Sequence, residues 1–211
     1  ADPELERNRM MKTNTGRAIL AVERIIRLVE SKKADLPASA TGSGWMEPVT
    51  KDDMVYFAER LLKKQEDFKA SRLPFKVDIG YHYTNSKNMK DIRTNGLLTK
   101  AERTSKNVAS SFHGAVFGDG IYTANNPTSF MNFGNTGLIL ARLQGKSIRV
   151  ARSLTGVSAT GMAEVNKGNT IVGDKTVQPP SKWSTTDLYH EIVLKRSTQC
   201  LPMIRYDTAL I

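Results

Sequence analysis

The sequence predicts an α+β fold in which helices lead and mainly antiparallel strands follow. Two observations carry this. Apolar residues recur with a helical period up to Pro74, and the period switches to two immediately after it. The strand-length segments beyond are separated by turns and polar stretches, not by regularly alternating helices, which argues against a doubly wound parallel sheet.

Residues 14–34 form the first predicted helix: Ile19, Val22, Ile26 and Val29 make a stripe that Leu20, Ile25 and Leu28 widen. Residues 35–48 are rich in Ala, Ser, Thr and Gly and read as a flexible linker. A second helix is expected from Thr50, with Asp53 three positions on as a capping-box variant and Met54, Phe57, Ala58, Leu61 and Leu62 on its apolar face. These helices read as packing elements. Residues 1–75 are therefore an N-terminal helical extension, and residues 76–211 the main domain. Val77, Ile79, Tyr81 and Tyr83 alternate with Asp78, Gly80, His82 and Thr84 along a strand. A short helix at Ser86–Thr94 is stopped by Asn95-Gly96. Residues 100–113 read as a polar loop lying over a site.

The run Phe117–Gly134 is the centre around which the main domain is organised. Glycines around Asp119 suit a tight turn, Ile121–Thr123 is β-prone, and Asn126-Pro127 suits a helix start. Tyr122 and Phe133 then face one concave spot, a slot for a flat aromatic ligand; two ordinary core rings would show the same spacing. Gly137–Gln144 is mostly apolar and reads as a central strand, and further strands fall at Ser147–Val150, Asn169–Val172, Leu188–Leu194 and Cys200–Tyr206.

The chain has 211 residues, a net charge of +10 and a pI near 9.7, which favours anionic partners such as nucleotides, nucleic acid or acidic protein surfaces. No apolar run reaches the roughly 20 residues a bilayer span needs, so no membrane partner is expected. Cys200 is the single cysteine: it allows no internal disulfide and no thiolate zinc cage, and it points to the cytoplasm or nucleus. A Rossmann fingerprint, a phosphate-binding Gly-Lys-Ser/Thr loop and a His-Glu-x-x-His zinc pattern are all absent. The remaining candidates are His82, Tyr122 and Glu191. Singly, His82 also fits a satisfied structural histidine, and Glu191 a solvated strand residue.

Together, they sit in a familiar order. Gly80-Tyr81-His82-Tyr83-Thr84, followed by Asn88, Ile92 and Gly96-Leu97, resembles the first motif of the diphtheria-toxin-like ADP-ribosyltransferases, the poly(ADP-ribose) polymerase (PARP) superfamily. Phe117–Ala124 is similar to that superfamily's Phe-Gly-x-Gly-Ile-Tyr-Phe-Ala block. Gly137–Ala141 is similar to its central strand, and Tyr189–Val193 with Gln199–Pro202 to its terminal block. The resemblance spans residues 77–207. It implies an ADP-ribosyltransferase-like core of two packed sheets, NAD as substrate, no metal, and a catalytic triad of His82, Tyr122 and Glu191. His82 would bond the adenine-side ribose, and backbone groups of Tyr83 would clamp the nicotinamide carboxamide, with Thr84 beside them. Tyr122 and Phe133 would wall the nicotinamide, and Glu191 would bind the nicotinamide ribose.

Residue chemistry accords with these roles. Cleaving ribose from a cationic pyridinium develops positive charge on the sugar, which a nearby carboxylate stabilises. Strand parity puts Tyr189, Glu191 and Val193 on one face, leaving His190 opposite as structural; His113 stays undecided. Two positions depart from the family. Tyr83 replaces a usual glycine, so its side chain must point away from the ligand. Phe130 replaces a serine that bonds the carboxamide, for which Ser129 or Thr128 could substitute. The acceptor-side segment before Glu191 is short, favouring transfer of single ADP-ribose units over polymers. A protein acceptor is expected, with nucleic acid as a second class. The alternatives are a catalytically silent NAD- or ADP-ribose-binding domain, an NAD glycohydrolase, and an RNA 2′-phosphotransferase.

Overall fold

The computed structural model describes residues 2–46, 58–64, 66, 77–108, 119–127, 133–151, 170–174 and 191–208. Helix α1 (Pro3–Met10) is capped by the Asp2 carboxylate. Helix α2 (Asn14–Lys32) starts at Thr13, whose hydroxyl oxygen accepts from the Gly16 N–H at 2.9 Å. Of its predicted stripe, Val22, Ile25 and Val29 are buried, whereas Leu28 is 41% exposed. The second predicted helix is seen as α3, residues 58–64; its proposed start at Thr50 and Asp53 lies outside the described residues.

Residues 41–45 correct the linker expectation. Thr41–Trp45 is strand β1, set antiparallel on the last strand with Thr41 opposite Asp207 and Trp45 opposite Ile204. Small residues give no strand signal of their own here. A neighbouring strand with a free edge supplies backbone partners, and tertiary pairing overrides weak local propensity.

The remaining strands are β2 (Val77–Thr84), β3 (Ile121–Ala124), β4 (Thr136–Leu143), β5 (Ser147–Ala151), β6 (Thr170–Asp174), β7 (Glu191–Leu194) and β8 (Cys200–Asp207). They form one eight-stranded sheet in the order β1-β8-β4-β2-β3-β7-β6-β5, antiparallel except for β5 with β6. In place of the two packed sheets that the resemblance implies, there are two four-stranded halves of this one sheet. They are joined between β2 and β3 by one register pair, Tyr81 opposite Ala124, whereas β2 and β4 pair along eight positions. The fold is α+β, mainly antiparallel, with leading helices.

Each face has its own core. Against one, α2 and α3 bury Val22, Ile25 and Leu61 with Tyr81, Tyr83, Ile139 and Tyr206. Against the other, helix α4 (Met89–Asn95) buries Met89 and Ile92 with Leu138, Leu140, Ile192 and Leu194. The loop expected at 100–113 is helical over its first part, α5 (Lys100–Ser105). Thr99 and Glu102 form a capping box, and the Asp119 carboxylate accepts from the Lys100 and Ala101 N–H groups at 2.8 and 3.0 Å. The turn glycines thus flank a residue that caps a helix nineteen positions earlier.

Candidate active site

Strand register brings the candidate residues to the seam between the two halves of the sheet. Ala124 lies opposite Glu191, and Tyr122 opposite Val193. Residues directly opposite share a face, so Tyr122 and Glu191 are same-face diagonal neighbours, a relation that spans about 7–8 Å and somewhat less between Cβ atoms. Both are half-buried.

His82 belongs by alternation to the opposite face of β2, yet its imidazole reaches into the seam. There Nδ1 lies 2.7 Å from the Tyr122 carbonyl oxygen. A carbonyl only accepts, so Nδ1 carries the proton and donates, leaving Nε2 as the acceptor. Burial pushes the pKa of His82 below its usual value, and the bond to Tyr122 opposes this without cancelling it. The neutral ring with a free Nε2 lone pair is therefore the form at neutral pH. The imidazole stitches β2 to β3 just past their one register pair.

Tyr83 points into the core and is 7% exposed. Its hydroxyl donates to the Pro127 carbonyl and accepts from the Tyr206 hydroxyl at 2.7 Å, with the two rings edge-to-face at 5.8 Å. Gly137 makes this possible. It stands between Tyr83 on β2 and Tyr206 on β8, and a Cβ there would come within 2.2 Å of the Tyr206 ring. Burial raises the pKa of both phenols. Tyr83 thus clasps β2 to the chain just after β3, on the face that carries Tyr122 and Glu191.

Thr84 is buried, and its hydroxyl oxygen accepts from the Asn88 side chain at 2.9 Å, tying the end of β2 to the turn before α4. Phe133, three residues before β4, is 47% exposed. Thr128, Ser129, Phe130, His113, Tyr189, His190 and the acceptor-side segment 177–187 lie outside the described residues.

Sequence reasoning missed Arg142, which is 1% exposed beneath the seam. Its guanidinium bonds the Asp78 carboxylate through Nε and Nη2 at 3.0 and 2.9 Å, the Thr123 hydroxyl at 3.0 Å, the Ile79 carbonyl and the Asn125 side chain. Thr123 in turn donates to the Ile192 carbonyl at 2.9 Å. One cation therefore links β2, β3 and β4, and reaches β7 through Thr123. Gly80 leaves room for it: a Cβ would fall 2.7 Å from the Arg142 side chain. The signal in the sequence was a lone arginine in an otherwise apolar strand, with Asp78 and Gly80 alternating with apolar residues on another. Cys200 is buried, and burial pushes its thiol up to about 12, so it offers no ready nucleophile.

No protein-family model matches the chain, and no curated protein matches it. Solved structures do. The crystal structure of the TASOR pseudo-PARP domain is similar over 88% of this chain and 93% of that one, with a TM-score of 0.55 and 9% identity. At that identity the likeness is one of fold alone. The chain has a PARP-like fold, with His82, Tyr122 and Glu191 on three successive strands at its seam.

Proposed function

We propose that the seam binds NAD and that the chain transfers ADP-ribose from it to a macromolecular acceptor, one unit at a time. The observation that carries this reading is the register of β3 on β7. It gives a ring and a carboxylate one shared face, beside an imidazole bonded to the backbone of that same ring residue. In this reading the Nε2 acceptor of His82 takes a hydrogen bond from the adenine-side ribose, and Tyr122 stacks on nicotinamide. Glu191 holds the nicotinamide ribose and stabilises the positive charge that grows on it as the bond to nicotinamide breaks. The acceptor nucleophile then bonds the sugar carbon as the bond to nicotinamide breaks, its proton passes to solvent, and nicotinamide leaves as the neutral base.

A second reading, binding without turnover, is favoured by the Tyr83 clasp, which stands where the family has glycine, and by a structural neighbour titled pseudo-PARP. Labelled NAD separates them. Label transfer or nicotinamide release that falls on the order of 10²–10³-fold in Glu191→Gln, with NAD affinity kept, supports the transferase. Nicotinamide release without any labelled macromolecule indicates a glycohydrolase. Binding without either product, together with a gain of turnover in Tyr83→Gly, supports the silent domain.

A further inference from the structure

We infer that the outer surface of α4 and α5 is a docking platform for the phosphate backbone of a nucleic acid, independent of the NAD reading. Residues 86–106 carry six cations (Lys87, Lys90, Arg93, Lys100, Arg103 and Lys106) against two carboxylates, a net +4 out of the chain's +10. The structure sorts these charges by direction. Asp91 is turned sideways to Arg103 at 2.8 Å and to the Asn95 amide at 2.6 Å, which joins α4 to α5 as one unit. Glu102 is turned inward: it accepts from the Thr99 N–H, and from the Ser197 N–H and hydroxyl. Both acids are thus spoken for inside the fold, while Lys87, Lys90, Arg93, Lys100 and Lys106 stand exposed. Lys87, Lys90 and Arg93 recur every third residue, which aligns them in one stripe along the segment leading through α4. Exposed Arg196 adjoins Ser197, the residue that grips Glu102, and so lies beside the same platform.

The chemistry of the face selects the partner. Among the described residues, none of the exposed large apolar side chains, Leu5, Met11, Leu28 and Phe133, belongs to it. A protein partner needs apolar or aromatic anchors at the centre of its interface. Exposed cations with no exposed large apolar side chain beside them among the described residues suit a polyphosphate, where counterion release supplies the affinity without base contacts. Binding is expected to be sequence-independent and strongly salt-dependent.

The test is fluorescence anisotropy with a labelled 20-base-pair DNA duplex and a labelled single-stranded RNA of equal length, titrated at several salt concentrations. Binding of either probe with a steep salt dependence is the expected result. The triple variant K87E/K90E/R93E should weaken it at least about tenfold and lower the duplex salt slope by about 2.7, about 0.9 for each phosphate no longer neutralised. The control K12E/R24E/R27E alters net charge equally at exposed cations on another surface and should keep most of the affinity. Glu191→Gln should bind as the wild type does, so failure of the NAD reading leaves this result standing. If K87E/K90E/R93E does not fold, K87Q/K90Q/R93Q replaces it. Three outcomes overturn the proposal: no binding of either probe near 0.1 M salt, equal losses in both triple variants, or displacement by polyglutamate at the charge concentration at which nucleic acid displaces itself.

Discussion

Individual side chains at the seam carry their protonation states into function and stability. His82 is held neutral, so NAD affinity measured by calorimetry should stay flat from pH 8 down to about 6.5 and fall only below it. The same shift acts on folding. As pH drops through about 6.5 the unfolded chain takes up a proton that the folded chain resists, so stability from His82 is present above that pH and is lost below it. Denaturant melts of His82→Gln should lack this slope. Glu102 and Asp91 add a loss at lower pH: burial would raise their pKa values, but hydrogen bonds from Ser197 and Thr99 to one, and from Asn95 and Arg103 to the other, hold both below the usual carboxylate range. Tyr83→Phe tests the clasp. It strands the Tyr206 hydroxyl and the Pro127 carbonyl, and should cost about 1–3 kcal/mol in chemical denaturation while leaving NAD affinity unchanged. The departure at Tyr83 was legible in the sequence, and alternation along β2 put its ring with Val77, Ile79 and Tyr81, the side that packs in the core with α2. Its partner was not, because Tyr206 lies 123 positions away and only the β2-β4-β8 register brings the two together.

At the level of elements, the seam depends on the residues beneath it. Backbone pairing between β2 and β3 is slight, so Arg142 does much of the joining. Asp78→Ala leaves this cation, only 1% exposed, without its carboxylate, and should cost about 3 kcal/mol. Gly80→Ala pushes into the same guanidinium, with an expected loss of about 1–3 kcal/mol. In both variants hydrogen exchange should speed up at the β2–β3 seam before it does in β4. Element type was readable where a period or a strand-length apolar run extended over enough residues: α2, β2, β4 and β8 fall within a residue or two of their predicted places. Three of the helices and strands were not read. Helix α1 buries no residue and so shows no apolar stripe, strand β1 has no apolar alternation because its stability comes from the edge of β8, and α5 is six residues long, too short for a period. The Thr99–Glu102 capping box was in the sequence, but Asp119, which completes the cap, is distant.

For the molecule as a whole, α2 and the sheet share one core, since Val22, Ile25 and Val29 pack in the cluster that holds Ile139 and Ile204. A chain starting at residue 76 would expose that face, losing about 1.5–3 kcal/mol for each such side chain, and should not show a cooperative thermal transition. The strand positions of His82, Tyr122 and Glu191 were legible because the three residues sit in short motifs, each with its own strand signal. Its setting was not, since the division of the sheet into halves follows from pairings between distant segments.

Strand β1 also moves this edge of the sheet from an eight-residue strand to a five-residue one. By lying along β8 it occupies a row of main-chain donors and acceptors that would otherwise invite another chain. Loosening it, for example with Gly44→Pro, should make the protein self-associate through β8, seen as concentration-dependent oligomers in sedimentation even where each molecule keeps its cores. A glycine-rich stretch that looks like mere tether thus covers the edge of β8 and leaves only a shorter one outside.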